Sequence, residues 1–137
     1  MRMSLPVSPP AARYLRGGWR IGLGSDVAGG HTLDLFTVMA TAVQVSKLRW
    51  RYVDQREKPL TMTEALYMAT VGGGDFWADF GEKVGLFEEG YALDALVLDD
   101  DSLKNMRAFT PAERLERYAY LGRGALTAKF AQGKKLL

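Results

Sequence analysis

The chain has 137 residues, 47% of them hydrophobic and 25% charged, with a formal net charge of +2 and no cysteine. That is the size and balance of one ordinary globular domain with a core of its own. The lack of cysteine excludes a disulfide framework and a thiolate metal site, and so small a charge gives no ground for a nucleic-acid partner.

No apolar run nears the ~18 residues that would suggest a membrane span. Met1–Pro10 holds three prolines, Pro6, Pro9 and Pro10, and no secretory-signal pattern. It reads as extended or irregular. A cytoplasmic protein without a membrane partner is the expectation. Ala11–Arg16 reads as a short helix closed by Gly17-Gly18. Arg20–Leu23 is a short apolar run, expected to be a buried parallel strand. It ends in Gly24-Ser25-Asp26-Val27-Ala28-Gly29-Gly30, a small-residue turn with one carboxylate.

A helix is predicted over Asp34–Tyr52, with Leu35, Val38, Met39, Ala42 and Val45 as its core stripe. Lys47, Arg49 and Arg51 at its end, like Lys134 and Lys135, read as solvated basic side chains. Val53–Pro59 is polar and turn-like. Thr61 and Glu64 fit a capping box at the start of the next helix. Met62, Ala65, Leu66 and Ala69 form that helix's buried side, and Gly72-Gly73-Gly74 is expected to stop it. The triple glycine is no phosphate loop, because no Lys-Ser or Lys-Thr follows it. Asp75–Phe80 reads as a further helical turn.

Val84–Phe87 and Ala95–Leu98 read as strands joined through Glu88-Glu89-Gly90. Asp99-Asp100-Asp101 lacks the calcium-loop pattern and reads as a solvated loop. Thr110-Pro111-Ala112-Glu113 is a second capping box, with proline at the first helical position. The helix it opens runs to about Leu121, uses Leu115, Tyr118 and Ala119 as its apolar side, and stops at Gly122 and Gly124. Leu126–Ala131 and Lys134–Leu137 read as paired strands around Gln132-Gly133.

A carboxylate just past the C-terminal end of a buried strand, followed by a helix, is where a (β/α) barrel places its chemistry. Gly and Asp also fill such turns for conformational reasons alone, and the spacing does not separate the two. The run Gly22-Leu-Gly-Ser-Asp-Val-Ala-Gly-Gly-His31 resembles the last metal-ligand segment of the guanine deaminases, within the amidohydrolase superfamily. The resemblance continues to Asp101 through Gln44-Val-Ser-Lys-Leu-Arg-Trp-Arg51, Leu60–Gly74, Val84–Gly90 and Asp94–Leu98. The Asp-Val-Ala-Gly-Gly run is its more specific part.

The resemblance implies an α/β fold. Residues 1–82 would be the end of a (β/α)8 barrel, and residues 83–137 would be strands and a helix of a small composite β-domain. It implies zinc-dependent hydrolysis of guanine to xanthine and ammonia, with guanine as the small-molecule substrate. A homodimer would fit the family. Asp26 matches the aspartate that touches zinc and handles the water proton, so it is both the catalytic and the metal-binding candidate. The family's other zinc ligands are histidines, including a His-x-His pair, whereas this chain has one histidine, His31. In the family pattern that position is no zinc ligand, and His31 reads as structural or as a neighbour of the site. A full barrel takes about 250 residues, so the expectation is a C-terminal portion that needs the earlier barrel segment to be active. Two alternatives stand beside it: a catalytically inactive remnant, and an amidohydrolase acting on another amino-heterocycle or an amide.

Overall fold

The computed structural model describes residues 10–26, 29–103, 107–121 and 125–137. The expectations for Met1–Pro9 and for a helix stop at Gly122 and Gly124 lie outside them. In chain order the elements are α1 (Ala11–Arg16), α2 (Leu35–Tyr52), α3 (Met62–Ala69), α4 (Val71–Ala78), β1 (Ala95–Asp99), α5 (Pro111–Leu121), β2 (Ala125–Ala131) and β3 (Lys134–Lys135).

The helix starts follow from local chemistry. Asp34 caps α2 by accepting from the backbone N–H groups of Phe36 and Thr37, and it also takes a hydrogen bond from the Thr37 hydroxyl at 2.6 Å. At α3 the Thr61 hydroxyl accepts from the Glu64 N–H while the Glu64 carboxylate accepts from the Thr61 N–H at 2.8 Å. Thr110 and Glu113 repeat the reciprocal pair at α5. Each box satisfies two donors that the helix cannot.

The core lies between α2, α3 and α1 and is built from Ala12, Met39, Ala40, Val43, Leu60, Met62, Ala65 and Met68. Helix α5 packs over it, with Leu115 and Ala119 against the core and Tyr118 meeting Phe36 edge-on at 4.9 Å. The expected α2 stripe holds in part: Met39 is buried and Ala42 packs against the core, but the covered side is centred on other positions. Phe36, Met39, Ala40 and Val43 face inward, while Leu35 is 38% exposed. Both sides of α2 are apolar, and only the tertiary partners choose between them. Ser46 ties the helix to the next segment, accepting from the Leu60 N–H and donating to the Val43 carbonyl.

Gly72-Gly73-Gly74 does not end a helix. Helix α3 closes at Ala69, Thr70 turns the chain, and the three glycines form the first turn of α4. The cause is close packing. A Cβ on Gly72 would collide with the Ile21 carbonyl oxygen, and one on Gly74 with the Val84 carbonyl oxygen. Residues 20–24 thus lie directly on α4. They are extended but join no sheet, contrary to the expected strand: the Leu23 N–H donates to the Met68 carbonyl at 3.0 Å, and no strand neighbour occurs among the described residues. A strand is defined by its ladder, which this segment lacks.

Val84–Phe87 is also no strand. Gly85 has φ +92°, which breaks the extended path, and the Ala92 N–H donates to the Lys83 carbonyl to close a loop. The sheet is antiparallel, in the order β1-β2-β3. A bulge falls between Val97 and Leu98, where the Thr127 hydroxyl donates to the Val97 carbonyl. Gln132 and Gly133, both at positive φ, make the β2–β3 turn. Ladder bonds run on to Leu136 and Leu137, although β3 itself stops at Lys135.

The aspartate run is not simply a solvated loop. Asp100 is 9% exposed and paired with Arg114, whose Nε donates to Oδ2 at 2.8 Å. This guanidinium holds the Asp100 carboxyl below its usual range against the opposing effect of burial. No helix among the described residues is long and apolar enough to cross a membrane.

Candidate active site

Asp26 stands three residues beyond Leu23, at the end of the extended segment that rests on α4. Its side chain is exposed. Its backbone has φ +49°, in the left-handed region, where aspartate is one of the few non-glycine residues tolerated. The Asp26 carbonyl accepts from the Gly29 N–H at 2.9 Å and also from the Gly30 N–H. The chain therefore doubles back on the aspartate before Thr32 and Asp34 start α2. A non-glycine residue held at such a φ costs about 1–3 kcal/mol, and such strain gathers at functional positions.

The next carboxylate along the chain already has partners. Asp34 is committed to its helix cap. His31 is exposed, and among the described residues no three His, Cys, Asp or Glu side chains come together as a metal-binding group. A zinc centre needs about four ligands, of which a catalytic site takes three or more from protein. Asp26 and the single histidine do not by themselves fit one.

At the Arg20 end of the extended segment is a shallow groove of about 420 Å³, lined by Leu15, Trp19, Ile21, Tyr67 and the stems of Arg16 and Arg20. Its charges are structural. Arg16 makes a two-pronged pair with Glu64 at 2.8 and 2.9 Å and donates to the carbonyls of Lys58 and Pro59. Burial pushes the Glu64 carboxyl up, but the hydrogen bonds from Arg16 and Thr61 outweigh it and leave Glu64 below its ordinary value. Arg20 pairs with Asp79 at 3.0 Å and donates to the Asp75 carbonyl. These contacts fix α1 and the extended segment to α3 and α4, and so place the turn that carries Asp26. Sequence reasoning missed Arg16 and Arg20, because their partners lie 48 and 59 residues away. It also missed the left-handed conformation of Asp26, for which the small residues after it were the available signal.

The profile of the amidohydrolase family matches residues 6–134. Guanine deaminase of Dictyostelium discoideum is 26% identical over 129 residues, which are 90% of this chain and 28% of that protein. A 5′-deoxyadenosine deaminase of Methanopyrus kandleri is 34% identical over 104 residues, 74% of this chain and 22% of that protein. Among solved structures, guanine deaminase from C. acetobutylicum with guanine bound in its active site superposes with a TM-score of 0.81 at 42% identity, covering 93% of this chain and 30% of that one. The chain thus spans less than a third of the length of each. With the profile matched along almost its whole length, the chain belongs to the amidohydrolase family.

Proposed function

We propose that this chain is the part of a guanine deaminase that closes a (β/α)8 barrel and brings Asp26 to a metal site. The observation that carries this reading is the likeness, over nine-tenths of the chain, to an enzyme that holds guanine. Residues 20–24 would be the last barrel strand, extended and laid on α4 but lacking a ladder partner among the described residues. Residues 1–82 would complete the barrel, and residues 83–137 would join the small composite β-domain. Exposed aromatic surface supports a covering polypeptide: on α4 and just after it, Phe76 is 60%, Trp77 54% and Phe80 68% exposed.

The reaction takes guanine and water to xanthine and ammonia. Asp26 has two carboxylate oxygens, so one can face a metal while the other accepts the proton of the attacking water and returns it to the departing amino group. The metal, zinc in this proposal, supplies a more acidic bound water when present. Its remaining ligands come from outside the described residues.

The alternative of another amino-heterocycle draws on the likeness to a 5′-deoxyadenosine deaminase. The test is a chimera in which this chain replaces the matching segment of the C. acetobutylicum enzyme, assayed on guanine and on 5′-deoxyadenosine. Preference for guanine is expected. A chimera that folds and deaminates only 5′-deoxyadenosine would overturn the substrate assignment, and one that folds and acts on neither would favour a catalytically inactive remnant.

A further inference from the structure

The turn around Asp26 holds a contact that the proposed chemistry leaves unused. Gly29 lies against the Asp26 carboxylate itself. A Cβ built on Gly29 would sit 2.5 Å from Oδ2, 3.0 Å from Cγ and 3.3 Å from Oδ1, so it would meet the whole group and not one edge of it. Real Cβ atoms essentially never approach a heavy atom within 3.0 Å. What glycine provides here is space.

If a side chain stood at position 29, either the turn or the carboxylate would have to move. The turn is pinned by the two N–H groups that the Asp26 carbonyl accepts. It is pinned again by Gly30, whose own Cβ would run into the Ser25 carbonyl oxygen. The carboxylate is the softer partner. It hangs on one methylene and turns about χ1 from one staggered well to another.

We propose that Gly29 is a positioning residue for Asp26: by lacking a Cβ it leaves the carboxylate in its present χ1 well, and any side chain there redirects it. The functional weight of this inference rests on the assignment of Asp26 proposed above; the geometric part does not. Gly30 has a different task, which is to let the backbone pass the Ser25 carbonyl. Gly24, where a Cβ would meet nothing within 4 Å, has neither.

The test is nuclear magnetic resonance of the isotope-labelled full chain, with three-bond couplings reporting Asp26 χ1. Gly29→Ala should lose the present χ1 well while amide shifts outside the turn stay put, and Gly24→Ala should keep it. An Asp26 that holds its χ1 well in Gly29→Ala overturns the proposal. Should Gly29→Ala fail to fold, Asp26→Ala/Gly29→Ala decides the matter. Recovery of folding in the double variant means the clash is with the carboxylate, whereas failure of both means the backbone itself needs glycine and the proposal is wrong. The assignment of Asp26 fails separately: χ1 turns in Gly29→Ala, yet guanine turnover by the chimera survives Asp26→Ala.

Discussion

Alanine substitutions along Gly72-Gly73-Gly74 should alternate in sign. All three glycines lie in the first turn of α4, so each gains helix propensity on becoming alanine, about 0.5–1 kcal/mol. They differ in what a Cβ meets. At Gly73 the nearest atom is the Met68 carbonyl oxygen at 3.7 Å, an ordinary contact. At Gly72 it is the Ile21 carbonyl oxygen, in collision, and a backbone carbonyl cannot swing aside as a side chain can. Overpacking of that kind costs about 1–3 kcal/mol. The propensity gain is common to both variants and cancels, so Gly72→Ala should be less stable than Gly73→Ala by about 1–3 kcal/mol. At roughly 4 °C per kcal/mol for a domain of this size, the melting temperatures should differ by roughly 4–12 °C. Urea unfolding followed by tryptophan fluorescence measures the difference, with the slope m unchanged if the unfolded state is the same. Equal stability of the two variants would refute the claim that residues 20–24 rest on this turn.

Two further outcomes follow from the core and the caps. Met68 is fully buried, and Met68→Ala should cost about 2–5 kcal/mol in the same unfolding assay. Arg107 and Thr110 hold the Glu113 carboxyl down at about 2, against an ordinary 4.5. A depressed carboxyl contributes stability that is present above its unfolded value and lost as pH falls through the folded one. Glu113→Gln should therefore lower the melting temperature above about 4.5 and converge on the parent toward about 2. A gap that stays constant across that window would show that the charge on Glu113 plays no part.

The elements with local punctuation were legible in the sequence. Thr61/Glu64 and Thr110/Glu113 announce α3 and α5 because a capping box closes within four residues, and the Asp34 cap of α2 is equally local. Gln132-Gly133 announces the β2–β3 turn for the same reason. What failed was long-range. Three glycines in a row look like a helix stop until Ile21 and Val84 are known to lie against them. Only Met39 and Ala42 of the expected α2 stripe meet the core, because α3 and α5, not α2, decide which apolar side is covered. Val84–Phe87 has a strand's composition but not its path, since Gly85 turns at positive φ. Asp100 looked like one of three solvated carboxylates, but it is buried and paired with Arg114, 14 residues on. At the candidate site the sequence singled out Asp26 and its glycine-rich turn. It carried no sign of which glycine faces the carboxylate, because that depends on the fold of the turn and not on spacing.

In the proposed function this chain brings one working carboxylate, Asp26, to a guanine-deaminating site completed by residues outside it. The most direct measurement is guanine turnover by the chimera with the C. acetobutylicum enzyme, comparing Asp26 with Asp26→Ala at matched folding and zinc concentration. Asp26→Ala should lower kcat by at least about 100-fold, the smaller end of what a positioned proton-transfer group supplies. Turnover that survives Asp26→Ala would contradict it.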